Sequence, residues 1–181
     1  MKSTFTNDLA RLNRIRPGLW LLGPGMAFGD KNTWWGDNSP RPVPHNGVDL
    51  AFLKTPDGVQ HNLGAGTVVP TPFDGKIARV IPDHLGMSVF LLHDIEVDGG
   101  LLVSALGHLA PHLLLKVGAG IKSGAPVGNI AKPKDKSVPP HLHLTLARVP
   151  KDIKSSTLTW ELMDSADGSN NISLIDPRKF F

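Results

Sequence analysis

Two short motifs carry residue types that could do chemistry: His45-Asn-Gly-Val-Asp49 and His141-Leu-His143. Side chains of an extended strand alternate between faces, so residues two or four apart point the same way. An extended first motif therefore puts His45, Gly47 and Asp49 on one face, with Val48, Leu50 and Phe52 on the other. Gly47 places no side chain between the imidazole and the carboxylate, which leaves room for an ion. In the second motif His141, His143 and Thr145 share a face, backed by Leu142, Leu144 and Leu146. Each motif thus offers polar groups on one side and a core-forming stripe on the other, as a rigid sheet does when it pre-organises a metal site. A helix would also bring His45 and Asp49 together. Gly47 and the Val-Asp-Leu-Ala-Phe run favour a strand instead. Either motif alone fits ordinary surface or core histidines. Together, in a chain with eight histidines and no cysteine, they favour a metal. Without thiolates, the donors must be His, Asp, Glu or backbone oxygen, a set that suits zinc and its neighbours.

The elements that must position these residues read as strands. Short apolar or alternating runs lie at Gly47–Leu53, Gly66–Pro70, Lys76–Ile81, Met87–Leu92, Leu101–Leu106, Pro126–Ile130 and Leu142–Arg148. Asp57-Gly58, Asp74-Gly75, Asp98-Gly99-Gly100 and Gly118-Ala-Gly120 supply turn signals between several of them. Strands this close in sequence are usually antiparallel neighbours, which predicts an all-β, antiparallel sandwich or barrel-like core. Before it, Leu9, Leu12 and Ile15 suggest a short helix capped by Thr6 or Asn7 and stopped by Pro17-Gly18. The Gly-, Pro- and Asn-rich stretch from Gly23 to Pro44 holds Trp34-Trp35 and reads as an ordered loop. The plainer expectation is that those rings cover one end of the core; the sharper one is that they line a substrate groove. After the core, the chain is polar up to Asn171 and turns apolar at Ile172-Ser-Leu174-Ile175, before Asp176-Pro177. This organisation divides the chain into an N-terminal extension (1–43), a core (44–150) and a C-terminal extension (151–181).

Composition narrows the function further. At 181 residues one domain is the default. A hydrophobic fraction of 40% and a charged fraction of 19% are those of an ordinary globule. Nineteen glycines and 16 prolines exceed the usual share of roughly 12% and favour strands and turns over a helical bundle. A net charge of +3 is too small to argue for nucleic acid, but it is compatible with an anionic polymer such as a cell wall. The richest basic stretch, Lys132, Lys134 and Lys136, is broken by Pro133 and Asp135 and reads as a solvated loop. No run of about eighteen apolar residues is present, so no stable membrane insertion is expected. Asp8, Arg11, Arg14 and Arg16 interrupt the first stretch, which does not read as a secretory leader.

The ordered motifs resemble the lysostaphin-type (LytM-like) zinc endopeptidases, which cleave peptidoglycan cross-bridges and stem peptides. The pair His45-x3-Asp49 and His141-x-His143 matches that family's signature. So do Gly66-Thr-Val-Val-Pro-Thr-Pro-Phe-Asp-Gly75 and Gly107-His108-Leu109-Ala-Pro111. Val117-Gly118 with Ile121-Lys-Ser-Gly124, Pro126-Val-Gly128 and the closing Ile175-Asp-Pro177 complete the set. The resemblance implies a core of the duplicated hybrid-motif type. It implies one zinc per chain held by His45, Asp49 and His143, with His108 and His141 as the two catalytic histidines. It further implies peptidoglycan peptides as the partner and a periplasmic, envelope or secreted setting; oligomeric state stays open. The other histidines, His61, His84, His93 and His112, read as structural or neutral, with His93 hydrogen-bonding across the sheet.

The chain also departs from the family pattern. Leu106 stands where a tyrosine usually precedes the central histidine, and the chain contains no tyrosine. Lys132-Pro-Lys-Asp-Lys-Ser-Val-Pro-Pro140 replaces a glycine- and serine-rich loop that borders the groove, and Thr145 replaces a frequent glutamate. None of these changes removes a proposed ligand or catalytic histidine. Competing readings are a non-catalytic wall-binding or hydrolase-regulating module of the same fold, and a phosphocarrier domain, which would leave Asp49 without a purpose.

Overall fold

Paired backbones absorb the apolar runs in the computed structural model, which describes residues 2–166 and 171–181. Among the described residues the strands are β1 (Leu19–Trp20), β2 (Val48–Leu50), β3 (Phe52–Lys54), β4 (Gln60–Asn62), β5 (Val68–Pro70) and β6 (Gly75–Pro82), then β7 (Met87–Val97), β8 (Gly100–Pro111), β9 (Gly120–Ile121), β10 (Pro126–Ile130), β11 (Leu142–Val149) and β12 (Ser173–Ile175). Every pairing between these strands is antiparallel. One large open sheet runs β12-β11-β8-β7-β6-β9; β2 also pairs with β11, and β10 joins β8 to β5. A small sheet runs β1-β3-β4. The architecture is all-β. Among the described residues no helix is long and apolar enough to cross a membrane.

Alternation sends successive side chains of the long strands into two apolar clusters. Leu142, Leu144 and Leu146 of β11, with Leu102 and Leu106 of β8, pack with Val48 and Leu50 and with Phe5 and Leu9 of helix α1 (Phe5–Leu12). Val103 and Ala105 of β8, with Ala147 and Val149 of β11, face the other way. There they are covered by Leu158, by Met163 of helix α2 (Trp160–Asp164) and by Ile172. His143 and Thr145 alternate in phase with Ala147 and Val149, so this second face is apolar at one end and polar at the other.

Three local expectations need correction. Helix α1 starts at Phe5, with Thr4 at the cap position rather than Thr6 or Asn7, because Phe5 and Leu9 together fill the core. It stops at Leu12, well before Pro17-Gly18. Asn13 ends it by bonding the Leu9 carbonyl at 2.8 Å and clasping both backbone groups of Val68. The Gly47–Leu53 run divides at Ala51, with β2 joining the large sheet and β3 the small one. The polar stretch expected before Ile172 includes 167–170, which lie outside the described residues.

Candidate metal centre

Strand register brings the two motifs together. β11 lies between β2 and β8, so His143 stands opposite Asp49 on one side and Gly107 on the other. Opposed residues point their side chains to one face, close enough to touch. Asp49 Oδ1 lies 2.8 Å from His143 Nδ1 and 3.2 Å from His45 Nε2, and those two nitrogens are 3.1 Å apart. All three side chains are buried. They form one of two groups of His and Asp side chains whose geometry could hold a metal among the described residues.

The outward-facing atoms decide what points inward. The His45 Nδ1–H donates to the Ala27 carbonyl at 3.0 Å, which leaves Nε2 its lone pair. The His143 Nε2–H donates to Asn46 Oδ1 at 2.8 Å, with the Thr145 hydroxyl at 2.9 Å, which leaves Nδ1 bare. Asn46 in turn donates its amide to Asp164 at 2.6 Å. Three lone-pair-bearing atoms thus converge within 3.2 Å, an arrangement that a cation satisfies and neutral imidazoles alone do not. The other carboxylate oxygen, Asp49 Oδ2, accepts the Trp34 indole N–H at 2.9 Å and lies 3.4 Å from Arg41 Nη2. Burial alone would raise the Asp49 carboxyl. Its close neighbours His143 and His45 outweigh that and hold it well below the usual carboxylate range. Burial lowers His143 to about 4, so its ring is neutral at neutral pH.

His141 and His108 lie beside this group. The His141 Nδ1–H donates to the Pro139 carbonyl at 2.7 Å. Its Nε2 is buried without a hydrogen-bond partner and sits 3.6 Å from Asp49 Oδ1. Burial lowers this imidazole to about 4 as well. A bare, buried nitrogen aimed at the convergence point is a further mark of a site built for a ligand. The His108 ring centre is 4.8 Å from that of His141 and 5.9 Å from that of His143. His108 arrives there through a β-bulge. Met87 pairs with Leu109 and Val89 with Leu106, so Gly107 and His108 together oppose Ser88. His108 takes φ 65°, a conformation rare outside glycine, and this re-aims its side chain.

Several sequence expectations change. Trp34 and Trp35 do not merely cover the core, because their ring centres lie 5.3 and 5.4 Å from that of His141. Gly47 makes room for chain rather than for an ion. A Cβ there would lie 2.4 Å from the Leu144 carbonyl oxygen and 2.9 Å from His143 Nε2. His84 is exposed, as expected, though its ring centre lies 4.7 Å from that of His108. His93 does bond across the sheet, its Nε2 accepting from the Ser104 hydroxyl at 2.8 Å. Arg41, Asp83, Asn46 and Trp160 went unnoticed in the sequence. Asn46 alone carried a signal, its place inside the first motif.

His45, His108 and His143 open onto a cleft of about 490 Å³. Its walls come from Trp35 and Arg41–Asn46, from Pro82–His84, and from Trp160, Glu161 and Asp164. The Trp160 ring centre is 5.2 Å from that of His143. Residues from both 1–43 and 151–181 therefore line the cleft.

Among solved structures, LytU superposes with a TM-score of 0.53 at 20% identity, over 88% of this chain and 85% of its own. The catalytic domain of the antimicrobial peptidase lysostaphin from Staphylococcus simulans gives 0.49 at 22% identity, over 86% of this chain and 88% of its own. A zinc-containing peptidase from Vibrio cholerae gives 0.48 at 21% identity, over 76% of this chain and 37% of its own. No protein-family model matches the sequence, and no curated protein matches it. The likeness to LytU gives the chain the lysostaphin-type, all-β fold.

Proposed function

We propose that this chain is a zinc-dependent endopeptidase that hydrolyses peptide bonds of bacterial peptidoglycan, in a cross-bridge or a stem peptide. The observation that carries the reading is the buried convergence of His45 Nε2, Asp49 Oδ1 and His143 Nδ1 beside the unpartnered Nε2 of His141. Two neutral imidazoles and one carboxylate fit zinc, and three protein ligands keep a fourth tetrahedral position open, as catalytic rather than structural sites do. In this reading His45, Asp49 and His143 hold one ion per chain. When bound, zinc supplies Lewis acidity, polarising a peptide carbonyl and bringing the pKa of water toward neutrality.

The chain's own residues supply the proton handling. His141 presents a bare Nε2 into the site, and His108 lines the cleft beside it. Between them the two rings can take a proton from the attacking water and return one to the departing amine, or donate to the developing oxyanion. The Trp34 and Trp35 rings against His141, and the Pro139 carbonyl behind it, hold that imidazole in place. Trp160 and Trp35 give the cleft two aromatic walls against which a peptide backbone can lie. The substrate class rests on the motif resemblance together with the fold, and it implies action in the periplasm, the envelope or outside the cell.

The test combines metal content with wall clearing. Purified protein should contain about one zinc per chain and clear a suspension of purified sacculi. Asp49→Ala and His143→Ala should each lower the rate more than about 100-fold. A metal-free protein, or clearing that survives both substitutions, overturns the reading. Binding to sacculi without clearing would identify the non-catalytic module instead.

A further inference from the structure

We propose that Asp83 is the positioning residue of His108, its carboxylate holding both the backbone and the ring of that histidine so that Nε2 is the nitrogen presented to the cleft. The inference rests on the peptidase reading only in taking His108 as a working group. Asp83 follows β6 directly and opens its turn into β7. Its Oδ1 accepts from the Leu85 and Gly86 backbone N–H groups at 2.9 and 2.7 Å, bonds that any turn-forming aspartate makes. The remaining contacts have no part in forming the turn. Oδ2 accepts the His108 backbone N–H at 2.8 Å and the Ser88 hydroxyl at 2.6 Å, while Oδ1 lies 3.2 Å from His108 Nδ1.

The direction of every proton in this network is set. An ionised carboxylate only accepts, so His108 must carry its hydrogen on Nδ1. Ser88 accepts the Trp160 indole N–H at 2.9 Å, which commits the serine hydroxyl to donate to Asp83. The line therefore runs from α2 through β7 to the carboxylate, and from the bulge in β8 to the same carboxylate. Burial alone would raise Asp83, but the bond from His108 and its positive charge when protonated, with the Ser88 hydroxyl, outweigh it and keep the group ionised. The backbone bond also pins His108 in its φ 65° conformation, which an L-residue adopts only when its surroundings impose it. Asp83, His84 and His108 could in principle gather a cation. That use would compete with the donors that now fill both Asp83 oxygens, so the geometry favours orientation.

Two measurements test this on the full chain. The first is long-range ¹H–¹⁵N NMR of wild type at a pH where the imidazoles are neutral, which reads the His108 tautomer without any turnover. The expected result is hydrogen on Nδ1 and a bare Nε2; hydrogen on Nε2 overturns the proposal. The second compares Asp83→Asn with wild type on soluble wall peptides. It should retain zinc and lower kcat about 100-fold or more with KM changed less than about threefold, the pattern of a mispositioned proton-transfer group. Retained zinc with kcat within about threefold of wild type overturns the proposal. If Asp83→Asn does not fold, the wild-type tautomer together with Ser88→Ala decides. That variant should shift the His108 ¹⁵N signals, and unchanged signals count against the network. An inactive wild type with the Nδ1–H tautomer would overturn the peptidase reading while leaving the positioning intact.

Discussion

At the scale of the residue, Asp49 is held as firmly on its outer oxygen as on its inner one. Trp34 donates to Oδ2 at 2.9 Å, and Arg41 lies 3.4 Å away with its guanidinium 5.2 Å above the Trp35 ring. Groups that orient a metal-binding carboxylate typically contribute about 10–100-fold to metal affinity. Trp34→Phe keeps an aromatic ring against His141 and removes only the N–H. It should weaken zinc binding by about that factor, measured by competition with a chromophoric chelator; unchanged affinity would show that Arg41 orients Asp49 unaided. The ligand candidates themselves were legible in the sequence because imidazole and carboxylate are chemically distinctive and strand alternation assigns them a face. Arg41 and Asp83 were not, and for Trp34 the sequence suggested at most a place in a groove wall, not its bond to Asp49. Their contacts depend on where loops fold back, and nothing in local spacing encodes that.

At the scale of the element, strand positions were largely readable from alternation and turn residues, and the antiparallel run of β6, β7 and β8 followed from proximity in sequence, whereas the β2–β11 pairing that assembles the site did not. The bulge at Gly107–His108 was not readable. It is a mismatch between two strands, and neither strand's own sequence records it. Gly47 shows the same limit in reverse: the residue type suggested space, but only the packing showed what fills it. Its hydrogen faces the β11 backbone at a distance no Cβ tolerates. Gly47→Ala should therefore destabilise the fold by about 1–3 kcal/mol, the usual cost of overpacking, with an unchanged urea m-value. At Gly64 an added methyl group would meet nothing within 4 Å, and the backbone there lies outside the left-handed region. Gly64→Ala should stay within about 0.5 kcal/mol of wild type, and an equal loss in both variants would sink the steric account.

At the scale of the whole molecule, one sheet face carries the candidate metal site at one end and apolar packing at the other, and a buried histidine outside that site makes the fold sensitive to acid. His93 is fully buried, donating through Nδ1 to the Asp74 carbonyl at 2.9 Å and accepting from Ser104. Burial lowers it from 6.5 to about 4, despite the nearby Asp94 and Asp74 charges. Between those values the unfolded chain binds the extra proton, so stability rises with pH. The contribution is complete above 6.5 and is lost as pH falls toward 4, a total of about 3 kcal/mol. His93→Gln should flatten the pH dependence of the urea midpoint across that window, and an unchanged slope would assign the acid sensitivity elsewhere. The tryptophans that wall the site have a separate, optical consequence. The chain has four tryptophans and no tyrosine, and Trp34, Trp35 and Trp160 each sit in ring contact with a site histidine. Only Trp20, bonded to the Thr6 hydroxyl, stands apart from them. Three of the chain's four indole rings thus touch the candidate site, so a label-free tryptophan signal can report changes there.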